Sequence, residues 1–131
     1  YNSALSNTNE IVRISSQSFT GKHAGGTSKI AKDGLLTPSC KIDNFEYDDL
    51  KILHLDIEGH ELPALKGGVK TINKHRPLVL IEDIENACEN FLIKMDYKKI
   101  ALIPLINIYA PVEKPNYQTF INEMSFIVHK L

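Results

Sequence analysis

Residues 50–84 read LKILHLDIEGHELPALKGGVKTINKHRPLVLIEDI, and the fold turns on this stretch. Its ends, 50–57 (LKILHLDI) and 77–84 (PLVLIEDI), are nearly continuous apolar runs of strand length, rich in Ile, Leu and Val. That composition suits interior strands of a parallel sheet covered on both faces. Between them Leu62, Leu65, Val69 and Ile72 recur at steps of three and four, which predicts a helix. Pro63 is tolerated only in a first turn, where amides have no intrahelical acceptor, so the helix must begin within 59–62. Gly67 and Gly68 should divide it into two short pieces, one glycine taking the left-handed turn that ends the first.

Outward from this unit, Asp83 can cap a further helix whose inner face is Ala87, Cys88, Phe91, Leu92 and Met95. Residues 97–103 (YKKIALI) and 125–131 (SFIVHKL) read as two more strands, joined by a long loop with three prolines. On the N-terminal side, 10–15 (EIVRIS) alternates as a half-exposed strand with Val12 and Ile14 on one face. Residues 18–34 are rich in Gly, Ser and Lys and read as loop, and 39–45 (SCKIDNF) as a short strand running into a brief helix capped by Asp43. There is no internal repeat. Strand, helix, strand, helix implies an α/β domain with a mostly parallel, doubly wound sheet.

The totals narrow the function. At 131 residues the chain fits one domain, residues 1–131, and 43% hydrophobic with 24% charged residues is the balance of a soluble globular protein. A net charge of −1 supplies no general pull toward phosphate backbones or acidic lipid, so neither nucleic acid nor membrane is an expected partner. The longest apolar stretch, Ile100 to Val112, is interrupted by Pro104, Asn107 and Pro111 and falls short of the ~20 residues of a membrane span. Cys40 and Cys88 lack CxxC spacing and read as core thiols of a reducing compartment, which points to a cytoplasmic location. The chain opens at Tyr1 and its methionines are Met95 and Met124, which leads us to expect a piece of a longer protein.

Residues 54–61 crowd His54, Asp56, Glu58, His60 and Glu61 into the end of a strand and the start of a helix. In open α/β sheets ligands gather at such carboxyl ends. Strand alternation puts Ile52, His54 and Asp56 on one face, with His54 roughly 6–7 Å below Asp56. Three readings compete. Asp56 or Glu58 can accept hydrogen bonds from the free amides of the helix and complement its dipole, worth about 0.3–2 kcal/mol. His54, Asp56, Glu58 and His60 are a mixed oxygen and imidazole set that a divalent ion accepts, although no HExxH helix accompanies them. The same groups can move protons. Nucleophilic catalysis lacks a GxSxG elbow, and in 21–29 (GKHAGGTSK) a phosphate loop would need Lys where Thr27 stands.

The run from Ile52 to Glu82 closely resembles the C-terminal half of the FkbM-type methyltransferases, matching that family's KIDVEGxExxVLKGA segment and the RPxxxxE strand that follows. Weaker similarity extends to YNSALSN, GGTS, CKIDNF and FIVHKL. The resemblance implies S-adenosylmethionine as cofactor and methylation of an oxygen on a sugar or small metabolite. It makes Asp56 the acid ending the fourth core strand beside the methyl donor, matches Glu58 and Gly59 to the EG pair and Glu61 to the next acid, and makes Glu82 the acid ending the fifth strand. Asn2, Ser3 and Ala4 take the cofactor-facing segment after the third strand. His54 and His60 depart from the motif. Of this set, Asp56 is the first choice for positioning or base work and His60 the second.

The Gly-rich loop that holds the cofactor in such enzymes has no counterpart here, since no GxG is followed by the required acid. The expected architecture is thus an incomplete class I, Rossmann-like methyltransferase fold lacking its first two strands, inactive as an isolated piece. The fourth core strand would then present an open edge, to be covered by a second copy in a homo-oligomer or by a rearranged N-terminal strand. Two rivals remain open: a non-catalytic α/β oligomerisation or partner-binding module, and a metal-dependent hydrolase at His54, Asp56 and His60.

Overall fold

A computed structural model describes residues 2–15, 28–82, 87–103, 105–114 and 116–117. Its described residues group into two compact units, one made of 1–48 with 56–74 and the other of 49–55 with 75–131. The predicted cap Asp83, the loop segment 18–27 and the strand 125–131 lie outside the described residues, wholly so in each case.

In the first unit, β1 (Ala4–Leu5), β2 (Ile11–Ser15), β3 (Lys29–Ile30) and β4 (Leu35–Cys40) form one sheet in the order β1-β4-β2-β3. β1 runs parallel to β4, while β2 is antiparallel to both β3 and β4. The alternation read in 10–15 is present: Val12 and Ile14 are half-buried, while Ile11 and Arg13 are exposed. The loop expected over 18–34 gives way to strand at Lys29–Ile30, and β4 begins earlier than SCKIDNF suggested. A 3₁₀ turn, Ile42–Asn44, follows β4. Asp43 does not cap it. Its carboxylate accepts the amides of Lys70 (3.1 Å) and Thr71 (2.8 Å), in the first turn of α2 (Val69–His75).

α1 (Glu61–Lys66) starts where Pro63 required, and the glycine pair separates it from α2. The reason differs from the expected left-handed turn. Gly67 is right-handed at φ −75°, and what demands glycine is contact: a Cβ there would overlap the Ser6 carbonyl oxygen, and one on Gly68 would press on the Ile42 side chain at 3.1 Å. The helix junction thus lies against the end of β1 and the 3₁₀ turn, burying Ile42, Ala64, Leu65 and Ile72.

The second unit holds β5 (Ile52–Leu55), β6 (Leu78–Ile81), β7 (Tyr97–Ile103) and β8 (Ile106–Pro111) in the order β5-β6-β8-β7, with α3 (Glu89–Ile93) preceding β7. β5 and β6 pair in parallel, as their sequences predict, and β6 is covered as an interior strand should be, with Leu78, Val79 and Ile81 buried. β5 departs from that expectation. It is an edge with one neighbour among the described residues, and Ile52 is 55% exposed whereas Leu55 is buried. On α3's flank, Cys88 and Leu92 are buried but Ala87, expected inward, is exposed. Neither cysteine is bonded to the other; Cys88 is buried and Cys40 half-buried.

The mostly parallel, doubly wound sheet is the main correction. Both sheets are mixed, with two parallel pairings (β1–β4 and β5–β6) and antiparallel ones elsewhere among the described residues. The stretch read as a proline-rich loop contains β8, paired with both β6 and β7. Ile103 pairs with Ile106, and strands that follow each other so closely in sequence can pair only antiparallel. Pro111 is compatible with a central strand because β6 matches β8 only over Asn107–Tyr109, and Pro111 lies beyond that register opposite Tyr97.

Arg76 ties the start of β6 to this hairpin. Its guanidinium donates to both Glu113 oxygens (2.6 and 2.9 Å) and to the Met95 and Asp96 carbonyls (2.8 and 3.1 Å), and it lies 4.5 Å over the Tyr97 ring. That hydrogen bond from Arg76 holds the Glu113 carboxyl down to about 2. Among the described residues no helix is long and apolar enough to cross a membrane.

Candidate active site

Residues 56–60 join β5 to α1, and their backbone sets the site. Glu58 (φ 57°) and Gly59 (φ 90°) are successive left-handed residues. Gly59 meets this demand without strain, whereas a side-chain-bearing residue such as Glu58 loses roughly 1–2 kcal/mol there. The turn is held by Glu61, whose Oε1 accepts the amides of both Ile57 (3.0 Å) and Gly59 (3.2 Å) from a position only 4% exposed.

This arrangement assigns the structural role among the acids. The capping reading expected Asp56 or Glu58 to satisfy free amides; the left-handed pair instead brings the amides of 57 and 59 to one oxygen of Glu61. His60 occupies the N-cap of α1 without a side-chain cap bond. Asp56 and Glu58 are exposed, and neither side chain makes a hydrogen bond or ion pair with a described residue. Among the described residues, two carboxylates are therefore left over by the fold.

They line a cleft of about 500 Å³ within the first unit, and so does His60. The same cleft is lined by Asn2, Ser3 and Ala4. Residues assigned to separate roles from sequence, more than fifty positions apart, thus share one concavity of a size ordinary for small-molecule sites. Apolar walls come from Leu5, Ile14, Ile30 and Ile57, and further hydroxyls from Ser28 and Thr37. Of these, Ile14 was marked by strand alternation and Ser28 by the GGTS similarity. Ile30 carried no signal because its strand is two residues long within the Gly- and Lys-rich stretch, and Thr37 carried none because it precedes Pro38, outside the strand expected from residue 39.

His60 is the most constrained of the site residues. Its Nε2 lies 3.2 Å from Ser6 Oγ. Burial pushes the imidazole below its ordinary value, and the Glu61 carboxylate opposes this without reversing it. The ring is therefore neutral at pH 7, the form that accepts a proton. Glu82 and His54 belong to the second unit: Glu82 follows β6 and donates its amide to the Leu55 carbonyl (3.2 Å), and His54 is exposed on β5. Among the described residues no three His, Cys, Asp or Glu side chains are grouped to hold a metal ion.

A family model for the methyltransferase FkbM domain matches residues 8–121. The chain belongs to the FkbM methyltransferase domain family. This FkbM-family chain is also similar to a solved structure, the methyltransferase FkbM from Methylobacillus flagellatus KT, at 25% identity and a TM-score of 0.48. That likeness covers 57% of this chain and 23% of the other, so the FkbM-family chain spans under a quarter of the length of its solved relative. No curated protein matches it.

Proposed function

We propose that this FkbM-family chain forms the acceptor side of an S-adenosylmethionine-dependent methyltransferase site that methylates a hydroxyl of a sugar or small metabolite. The observation that carries this reading is the pair of carboxylates, Asp56 and Glu58, which have no partner among the described residues and lie on a cleft they share with Asn2–Ala4. When bound, the cofactor supplies an electrophilic methyl group on a sulfonium sulfur, which leaves as a neutral thioether with the bonding pair. The residues fit such a group: unpaired carboxylates suit a positively charged ligand, and the apolar walls of Ile14 and Ile30 suit its uncharged parts. Asn2, Ser3 and Ala4 hold the donor on one wall.

Asp56 orients the acceptor hydroxyl, Glu58 binds its neighbouring hydroxyls, and the released proton passes to Asp56 or His60. Glu82 is assigned to the same chemistry by its motif alone. No Gly-rich strand-to-helix turn of the cofactor-holding type occurs in the sequence, so this chain alone binds the cofactor weakly and is inactive. Calorimetric titration with S-adenosylmethionine tests both statements. Affinity weaker than millimolar is expected. Low-micromolar binding would overturn the inactivity, and weak binding unaltered by Asp56→Ala together with Asn2→Ala would remove the site assignment.

A second reading, a non-catalytic module that assembles through strand pairing, is favoured by one observation. β5 has a single neighbour among the described residues and exposes Ile52.

A further inference from the structure

Ser6 is 3% exposed and contributes nothing to the cleft surface, yet its hydroxyl bridges two side chains: Oγ donates to Asn7 Oδ1 at 3.3 Å and lies 3.2 Å from His60 Nε2. A serine hydroxyl has one proton. With that proton directed to Asn7, the oxygen can only accept from His60, and the imidazole must carry its hydrogen on Nε2. We propose that Ser6, oriented by Asn7, is a positioning residue that locks His60 in the Nε2–H tautomer, so that Nδ1 is the proton-accepting atom offered to a ligand in the cleft.

The surroundings make Ser6 a stiff support. Its amide donates to the Cys40 carbonyl (2.9 Å), continuing the β1–β4 pairing. Its own carbonyl oxygen abuts Gly67, where no Cβ can fit. Ser6 is thus held from both peptide groups, and its Oγ position is set by the sheet and the helix junction. His60 in turn stands at the N-cap of α1, next to the turn that Glu61 ties down. The carboxylates near the ring are Glu61, whose Oε1 accepts from the backbone amides of Ile57 and Gly59, and the cleft acids Asp56 and Glu58. None of them takes a hydrogen bond from the imidazole among the described residues, so the tautomer is set by Ser6.

The consequence rests on the methyl-transfer reading: with a methyl donor bound, His60 Nδ1 would take the proton of the acceptor hydroxyl and become imidazolium as the O–H bond breaks, the oxygen would bond the methyl carbon, and the carbon–sulfur bond would break with its electron pair kept by the departing thioether, while Asp56 orients the hydroxyl. The tautomer itself is measured without cofactor or acceptor, so its failure and the failure of methyl transfer are separate results.

The test is two-bond ¹H–¹⁵N NMR of the uniformly labelled chain, with the His60 signals assigned by their loss in His60→Gln. The wild type should show a protonated Nε2 and a bare Nδ1. Asn7→Ala changes an exposed residue and releases the Ser6 proton, which can then point at His60; the two ring nitrogens should exchange their shifts in part or whole. Ser6→Ala should give mixed tautomers. An Nδ1–H tautomer in the wild type would overturn the proposal, and so would a His60 spectrum that Asn7→Ala leaves unchanged in a protein of unaltered Tm. The Asn7 variant decides if Ser6→Ala does not fold.

Discussion

Glu61, a nearly inaccessible residue, accepts two amide protons with one oxygen, so its removal leaves two donors without that acceptor in the turn that presents Asp56, Glu58 and His60. Hydrogen bonds to a charged acceptor are worth about 1.5–3 kcal/mol each, and of the two amides that of half-buried Ile57 has less access to water than that of exposed Gly59. Glu61→Ala is therefore expected to lower stability by about 2–4 kcal/mol in urea denaturation. Glu61→Gln keeps an acceptor oxygen and should lose roughly half as much. Asp56→Asn, by contrast, removes no hydrogen bond or ion pair with a described residue and should stay within about 0.5 kcal/mol of the wild type. Equal losses from Glu61→Ala and Asp56→Asn would contradict this division between a structural acid and a ligand-facing one. The motif placed all these acids at one strand end, but their spacing alone did not say which of them the backbone would claim.

Between elements, Asp43 shows how a cap can come from far along the chain. Burial raises its carboxyl, but the hydrogen bonds from Thr71 and Lys70 outweigh that effect and the net shift is downward. The folded state therefore binds its proton less readily than the unfolded chain. The sign follows: the stabilisation is fully present above the ordinary value of about 4 and is lost as pH falls through the lowered one. Asp43→Ala should lower stability by about 0.5–2 kcal/mol at neutral pH. Measured by urea midpoints, the gap between wild type and variant should narrow on acidification to about pH 3. A gap that is constant or widens there would show that the carboxylate is not the cap. The sequence correctly marked Asp43 as a capping residue. It misassigned the helix, because the partner amides lie 27 and 28 residues away and nothing local records that distance.

At the level of the molecule, two mixed sheets replace the parallel one, and β5 keeps an edge in the second. A strand with one side unpaired among the described residues and an exposed Ile52 presents a template for another strand. If the assembly reading holds, light scattering coupled to size exclusion should give a mass near twice 14.7 kDa, and Ile52→Lys should return it toward one chain. A wild type that is monomeric at tens of micromolar would end that reading and leave the acceptor-site reading untouched.

The sequence by itself determined the segment from β5 to β6: parallel strands, a helix started by Pro63 and divided at two glycines, and acids gathered where strand meets helix. The strands, the helix and its start follow from periodicity and from the missing amide of Pro63, which act over a few residues. Tertiary structure alone decided the rest. It made 106–111 a strand, made Gly67 necessary through the Ser6 carbonyl, and set His60 against a serine 54 positions away. Such choices depend on which backbone and side-chain groups can be satisfied together once the chain has closed on itself, and no short window of residues contains that information.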